Sequence, residues 1–398
     1  MLNLAIYLLL AGSAWSLTTG SSCIDGLVPV KVSADPIKFD LPPPNSQSDL
    51  TAFLTRLTSE TSNVTSAIKG RAVHLEATYN IWSMLCIPAG FPQNGSGIVE
   101  FAIHGINFDH SYWNFGGPGS PYNYVDAALE AGHAVFIYDR LGVGKSSKPD
   151  GIQEVQLATE IEVAASLVDI LKCSNEGCTG GAGRDTFISE IELKNATFIG
   201  VGHSFGSLQL SGLASKYGNL FDASILTGFS SYSGGQKASL VAFGLTIASQ
   251  QNPKRFGSLS SSYLATEGIY NDQMNFFRYP SFNFSALQLA LDTKGTLTIG
   301  ELLTQSTSPA LNYTKPVFIV TGDKVFIFCG GDCYQALNGS GNLIDSTNTL
   351  FPATSDFSTY IPSETGHAVN VHYSAPGTYR EIQAWISKRF GDRTSHSV

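Results

Sequence analysis

Residues 197–206 read Thr-Phe-Ile-Gly-Val-Gly-His-Ser-Phe-Gly, and this stretch is the strongest indication of the fold. An apolar run typical of a buried strand leads into Gly-x-Ser-x-Gly at residues 202–206, and a helical pattern follows over Phe205–Tyr217. Such a strand-to-helix turn predicts that the Ser204 hydroxyl is lifted clear of a sheet, where it can act as a nucleophile. The N-terminus of the helix would place backbone N–H groups and a partial positive charge beside an anion that forms there.

Short apolar strands alternate with helical segments on both sides of this turn. The strand-like runs are Ile98–Ile103, Ala134–Tyr138, Ala223–Thr227 and 316–320, and the longest helical patterns cover 155–171 and 378–390. This alternation predicts an α/β fold, a mostly parallel sheet with helices on both faces.

A serine nucleophile needs a base that takes its proton. The candidate is His367, which follows the strand-like residues 357–361 and precedes the closing helix. His372 is the alternative, while the side chain of His203, next to the serine in the turn, is expected to diverge from it.

Four motifs together resemble the α/β-hydrolase superfamily, particularly secreted fungal members with a helical cap. They are His104-Gly105-Ile106-Asn107, residues 138–146, residues 202–206 and Gly366-His367, and the resemblance covers about residues 71–390. It implies an α/β-hydrolase sheet with a helical cap insertion, and the chain order serine, acid, histidine. It also implies that Ile106 and Phe205 donate backbone N–H groups to the oxyanion. Serine at the strand-to-helix turn (the nucleophile elbow), in place of aspartate, disfavours the related epoxide hydrolases and haloalkane dehalogenases.

The acidic residue that would complete a catalytic triad with Ser204 and His367 departs from the family pattern. Members usually carry an aspartate three residues after a glycine, on the loop that follows the penultimate strand. Here Gly322-Asp323-Lys324-Val325 has valine at that place. We predict Asp323, the nearest carboxylate, as the partner of His367, with Asp332 as the alternative. A third possibility is a triad that is completed elsewhere in the chain or weakened.

The predicted organisation has five parts: a signal peptide over 1–16, an N-terminal extension over 17–70, a first part of the hydrolase core over 71–230, a helical cap over 231–311 and the rest of the core over 312–398. The cap interval lacks a clear core strand and is rich in aromatic residues, including Phe243, Tyr263, Phe276 and Phe277. These rings either form the core of the cap or line an apolar substrate pocket.

Composition excludes several classes of protein. The 398 residues are 43% hydrophobic and 14% charged, which allows a large core and disfavours long disordered tracts. The formal net charge is -9 and the sequence has no basic cluster, which argues against a nucleic-acid surface. No cysteine and histidine set has the spacing of a zinc site. Acyl-enzyme chemistry on a serine implies neither a metal nor an organic cofactor.

Several features favour a secreted protein without a transmembrane anchor. The apolar run 2–11 is too short to span a bilayer, and the small residues after it fit a signal-peptidase site. Six cysteines suggest disulfides, with proximity favouring Cys173–Cys178 and Cys329–Cys333 and leaving Cys23–Cys86. Predicted glycosylation sites are Asn63, Asn94, Asn195, Asn283, Asn312 and Asn338.

We therefore expect a secreted serine hydrolase that cleaves carboxylic esters or lactones through an acyl-enzyme on Ser204. Its partner would be a small molecule, an ester with an apolar or aromatic group. One alternative keeps the fold but makes the chain a tailoring enzyme of secondary metabolism, acting by hydrolysis, C–C cleavage or cyclisation. The other is a non-catalytic binding protein, which valine at the acid position supports.

Overall fold

A computed structural model of the chain describes residues 15–16, 20–92, 95–173, 186–191, 193–336 and 341–391. Its strands, in chain order, are β1 Trp15–Ser16, β2 Ser22–Ala34, β3 Ile37–Phe39, β4 Lys69–Ala72, β5 Leu75–Ile87, β6 Ile98–Ile103, β7 Ala134–Tyr138, β8 Thr197–His203, β9 Ala223–Thr227, β10 Thr246–Ile247, β11 Tyr263–Ala265, β12 Leu297–Thr298, β13 Val317–Val320 and β14 Phe357–Tyr360. Its α-helices are α1 Gln47–Thr58, α2 Val64–Ile68, α3 Tyr124–Glu130, α4 Leu157–Lys172, α5 Phe205–Tyr217, α6 Gln236–Ala242, α7 Ala248–Gln251, α8 Pro253–Phe256, α9 Ile269–Phe276, α10 Phe284–Thr293, α11 Ile299–Thr304, α12 Phe326–Cys329 and α13 Ala375–Phe390.

The main sheet has nine strands in the order β1-β2-β5-β7-β6-β8-β9-β13-β14. From β7 to β14 all neighbours are parallel, whereas β1, β2, β5 and β7 pair antiparallel. The central strands β6, β7, β8 and β9 are buried along their whole length, as expected for a sheet covered by helices on both faces. The predicted α/β fold is confirmed.

The sheet includes a strand that the sequence analysis did not predict. β2 lies inside the segment 17–70, which was predicted as an extension, and pairs with β5 along its 13 residues. Its buried residues Val28, Val30, Val32 and Ala34 alternate with more exposed ones, a period of two that could have revealed the strand. Pro29 disfavours a strand because it has no backbone N–H to donate, but β2 tolerates it because β1 pairs only with the start of β2.

Two of the predicted disulfides are confirmed. Cys23 and Cys86 are direct partners in the register of β2 and β5, with a Cα–Cα distance of 4.0 Å, and Cys329 pairs with Cys333 at the end of α12. Cys178 lies outside the described residues, so the Cys173–Cys178 bond stays a prediction.

The predictions about secretion are tested only in part. Most of the predicted signal peptide lies outside the described residues, as do Asn94 and Asn338. The other four asparagines of the sequons, Asn63, Asn195, Asn283 and Asn312, are exposed, and their glycosylation stays a prediction. Within the described ranges, no helix has the length and apolarity that crossing a membrane requires.

The segment between β9 and β13 forms α6 to α11 together with a small antiparallel sheet, β10-β11-β12, separate from the main sheet. These strands have two or three residues each, too short for a periodic pattern to reveal them. Arg140 ties this region to the core, because its guanidinium lies 2.6 Å from Glu301 on α11 and 2.8 Å from Glu160 on α4. All three side chains are buried.

Candidate active site

Ser204 occupies a tight turn between β8 and α5. Its backbone has φ 54° and ψ -116°, a conformation that non-glycine residues rarely adopt. The flanking glycines are required by close approach of the backbone: a Cβ on Gly206 would lie 2.1 Å from the carbonyl oxygen of Ile103, and one on Gly202 would lie 2.6 Å from that of Gly206. The turn predicted from Gly-x-Ser-x-Gly is therefore formed.

The structure brings His367 to Ser204, with 2.8 Å between His367 Nε2 and Ser204 Oγ. His367 follows β14, and both side chains are buried, Ser204 being 8% and His367 1% exposed. Burial, with a smaller contribution from nearby His372, lowers the pKa of His367 to about 3. The imidazole is therefore neutral at ordinary pH, and with the proton on Nδ1 its Nε2 is free to accept the serine proton.

The predicted contact between Asp323 and His367 is not formed. The Oδ1 atom of Asp323 accepts a hydrogen bond from the backbone N–H of Thr365 at 3.0 Å, and its Oδ2 atom lies 3.7 Å from Lys324 Nζ. Backbone hydrogen bonds cause this, because the N–H groups of Asp323 and Lys324 donate to the carbonyls of Pro362 and Thr365 and tie the two loops together. The Asp323 carboxylate is thereby held at the backbone N–H of Thr365.

The alternative acid does not reach the histidine either. Asp332 is exposed, and its carboxylate accepts the backbone N–H of Tyr334. In the part of the chain that the structure describes, the buried Nδ1 atom of His367 has no hydrogen-bond partner. The rings of His203, Phe328 and Phe276 surround the imidazole, with centroids at 5.0, 5.7 and 6.0 Å.

The other two histidines near the site have different roles. His372 accepts the backbone N–H groups of Arg278 and Gly366 with Nε2 and donates from Nδ1 to the carbonyl of Ala368, so it fixes loops instead of serving the serine. The ring of His203 stacks on Tyr112 with centroids 4.2 Å apart, which directs it away from the Ser204 hydroxyl. Burial lowers the pKa of both histidines.

Ile106 and Phe205, the predicted oxyanion donors, both lie near Ser204 in the chain or in space. Phe205 is the first residue of α5, and Ile106 follows β6 on a loop so close that a Cβ on Gly105 would lie 2.9 Å from Ser204 Cβ. Among the described residues neither backbone N–H has an acceptor. β6 lies between β7 and β8, where the strand order reverses, which is the usual place for a ligand in such sheets.

Aromatic rings that the sequence analysis did not assign to the site also enclose it. Phe108 and Tyr112, from the loop after β6, pack against each other with their rings tilted by 52°. Phe108 also contacts Phe276 of the cap with ring centroids 5.1 Å apart. Their position just after His104-Gly105 was the signal that could have identified them.

We expect Asp323→Asn to lower ester turnover less than tenfold, because the carboxylate contacts a backbone N–H and not the imidazole. The asparagine oxygen can accept the same hydrogen bond from Thr365. Steady-state kinetics of this variant beside Asp332→Asn provide the measurement, with circular dichroism to verify folding. A loss of 100-fold or more in Asp323→Asn alone would place this residue against His367 during the reaction.

Comparisons with known proteins agree with this architecture. A family model described as alpha/beta hydrolase fold matches residues 114–332, and no curated protein matches the chain by sequence. A bromoperoxidase from Bacillus anthracis is similar in structure, with 17% identity, coverage of 78% of this chain and 96% of that chain, and a TM-score of 0.50. An epoxide hydrolase from Vigna radiata has 14% identity, coverage of 77% and 95%, and a TM-score of 0.47. An esterase from Thermogutta terrifontis has 13% identity, coverage of 78% and 94%, and a TM-score of 0.43.

At 17% identity the likeness to the bromoperoxidase structure concerns the fold and not a reaction. The family model covers more than half of the chain, including the strand, the elbow and the helix that carry Ser204. This chain belongs to the alpha/beta hydrolase fold family.

Proposed function

We propose that the chain is a serine hydrolase that works with a Ser204–His367 dyad. The observation that carries the proposal is the 2.8 Å separation between Ser204 Oγ and the Nε2 atom of a neutral His367. Ser204 attacks the carbonyl carbon of the substrate while His367 takes its proton, and the N–H groups of Ile106 and Phe205 bind the oxyanion. His367 then protonates the leaving alcohol, and water hydrolyses the acyl-enzyme with the same base.

The Nδ1 atom of His367, which has no hydrogen-bond partner within the described ranges, bears on the rate of this chemistry. In a complete triad a carboxylate selects the histidine tautomer and stabilises the imidazolium that forms in the transition state. The aromatic surroundings of His367 supply neither. We therefore expect slower turnover than in a hydrolase whose histidine contacts an aspartate, with the oxyanion donors unaffected.

The substrate class follows from the groups around the serine. Phe276 and Phe328 pack against the imidazole of His367, and Phe108 and Tyr112 extend this aromatic cluster without contributing a charge. An apolar or aromatic carboxylic ester or lactone fits these surroundings better than a charged substrate. We also retain the proposal that the protein is secreted, which the disulfides Cys23–Cys86 and Cys329–Cys333 support.

A second candidate function is non-catalytic binding on the same fold. Valine at position 325 and the unpartnered Nδ1 atom of His367 favour it, because both are expected where selection for catalysis has been lost. The retained pair of Ser204 and His367 favours the hydrolase.

Labelling with a fluorophosphonate probe separates the two functions, and a panel of apolar, aromatic and charged esters then defines the substrate. The hydrolase predicts stoichiometric labelling that peptide mass spectrometry locates on Ser204, together with hydrolysis of apolar esters. A folded protein that neither reacts with the probe nor hydrolyses any ester would contradict the hydrolase and support the binding function.

The depressed pKa of His367 predicts an unusual pH profile. A base with the ordinary histidine pKa of about 6.5 is about 3% neutral at pH 5, so kcat/KM would fall about 30-fold between pH 7.5 and pH 5. With a pKa near 3 the base stays neutral, and kcat/KM should change less than about threefold. Assays at each pH, with samples returned from pH 5 to pH 7.5 to detect irreversible unfolding, provide the measurement. A reversible decline with a midpoint near pH 6.5 would contradict the prediction.

A further inference from the structure

The residue after the proposed oxyanion donor Ile106 has an unusual backbone. Asn107 is 1% exposed and has φ 66°, in the left-handed region that asparagine tolerates better than most residues. Its carbonyl accepts the N–H of Gly295 at 3.1 Å, and a Cβ on Gly295 would lie 2.4 Å from the carbonyl oxygen of Phe108. The loop 104–108 is therefore pressed against the segment between α10 and β12.

The side chain of Asn107 makes its hydrogen bonds to the region between β9 and β13. Its Nδ2 atom donates to Asp272 Oδ1 at 3.0 Å. The Thr266 hydroxyl lies 2.6 Å from the same carboxylate oxygen and 3.1 Å from Asn107 Oδ1. Lys294 Nζ donates to the Thr266 carbonyl at 2.6 Å. All four residues are buried, so this polar network joins the loop to the cap away from solvent.

The network lowers the stability of the folded protein, because one of its buried polar atoms is not satisfied within the part of the chain that the structure describes. Asp272 Oδ2 has no hydrogen-bond partner among the described residues although the side chain is 1% exposed. Burial raises the pKa of Asp272, only partly offset by Thr266 and Lys294. Incompletely satisfied buried polar groups lower stability, and in native proteins they are concentrated at functional sites.

Asp272 shares its helix with a residue of the site. α9 ends at Phe276, whose ring lies 6.0 Å from that of His367 and 5.1 Å from that of Phe108. One turn of helix therefore separates Asp272, which is hydrogen-bonded to Asn107 on the loop 104–108, from Phe276, whose ring lies next to that of His367.

We propose that Asn107 and Asp272 form a latch through which the cap holds the loop 104–108 in the conformation that aims the Ile106 N–H at the oxyanion. The inference rests on the proposed hydrolase function. Asn107, Asp272 and Thr266 are positioning residues, because they act through the backbone of Ile106 and do not touch the reacting atoms. Packing of the cap against the core and formation of the oxyanion site are therefore coupled.

Removal of the latch should slow the reaction without weakening substrate binding. Asn107→Gly keeps a residue that adopts positive φ but removes the side chain, and Asp272→Ala removes the acceptor. An oxyanion donor acts in the transition state, so we expect kcat to fall about 10- to 100-fold with KM within about threefold. Affinity for a trifluoromethyl ketone analogue of an ester that the wild type hydrolyses should fall by the same factor as kcat/KM.

An exchange of the two side chains tests the hydrogen bond itself. Asn107→Asp places two carboxylates side by side and should lose activity, whereas the double variant Asn107→Asp with Asp272→Asn reverses donor and acceptor and restores the contact. We expect the double variant to recover at least tenfold of the kcat that Asn107→Asp loses. A double variant no better than Asn107→Asp would overturn the latch.

Ser239→Ala is the matched control. It removes a buried 2.5 Å hydrogen bond to Asn275 on the same helix α9 but does not contact the loop 104–108, so only the melting temperature should fall. If Ser239→Ala lowers kcat as much as Asp272→Ala, the latch is merely structural and the inference fails.

Hydrogen exchange separates failure of the latch from failure of the hydrolase function. By mass spectrometry, a peptide covering residues 98–110 should exchange faster in Asn107→Gly and Asp272→Ala than in the wild type or in Ser239→Ala. This readout needs no activity. A wild type without labelling or ester hydrolysis rejects the proposed function, whereas unchanged exchange in both latch variants rejects the latch.

Discussion

Replacement of Ser204 by alanine is expected to reduce ester turnover by at least about 10⁴-fold. The hydroxyl that this variant lacks is the proposed nucleophile, which lies 2.8 Å from His367 Nε2. The fold should persist, because alanine and serine meet the same backbone strain at φ 54°. Kinetics on the best ester of the panel, fluorophosphonate labelling and the melting temperature together provide the measurement.

Ser207→Ala is a matched control at the same turn. Ser207 lies on the first turn of α5, and its hydroxyl donates to the carbonyl of Thr227, away from His367. This variant should lose some stability but retain labelling and most turnover. If Ser204→Ala keeps more than a tenth of the wild-type activity, the serine mechanism is wrong.

Replacement of Val325 by aspartate is expected to increase kcat about 100-fold or more. Val325 occupies the acid position of the family pattern, is fully buried, and immediately precedes α12, whose Phe328 packs near the His367 ring. A carboxylate that reaches His367 Nδ1 would select the tautomer and stabilise the imidazolium. It would also raise the pKa of His367, so the acidic limb of the pH profile should move to higher pH as kcat increases.

The amide Val325→Asn is the control for this gain, because it resembles aspartate in shape but carries no charge. We expect it to leave kcat within about tenfold of the wild type. An aspartate that missed His367 would be an unpaired buried charge and would strongly lower the melting temperature. A folded Val325→Asp variant without a gain in kcat would show that position 325 does not serve the histidine.

The buried hydrogen bond between Asn107 and Asp272 and the ion pair between Arg140 and Glu301 both join the cap to loops at the ends of the central strands. The proposed oxyanion site is therefore built by residues far apart in the chain. This explains why the sequence motifs predicted Ile106 as a donor but did not predict the groups that contact its loop. No pattern in the sequence links position 107 to position 272.

The features that could be predicted from the sequence depend on residues close together in the chain or on strand direction. Gly202 and Gly206 allow a turn in which a Cβ would collide with the backbone, and the apolar runs predict the buried parallel strands on either side of it. His367 was identified for the same reason, because parallel strands deliver the loops at their carboxyl ends to one edge of the sheet. Such features depend on neighbours within a few residues or on strand direction alone.

The partner of the histidine, in contrast, depends on contacts between loops that are distant in the chain. Asp323 is close to the right place along the chain, but the backbone hydrogen bonds to Pro362 and Thr365 turn its carboxylate to the Thr365 N–H. The way in which the two loops are joined makes the difference between a triad and the proposed dyad. That difference arises from contacts between residues about 40 positions apart, which no local pattern of side chains encodes.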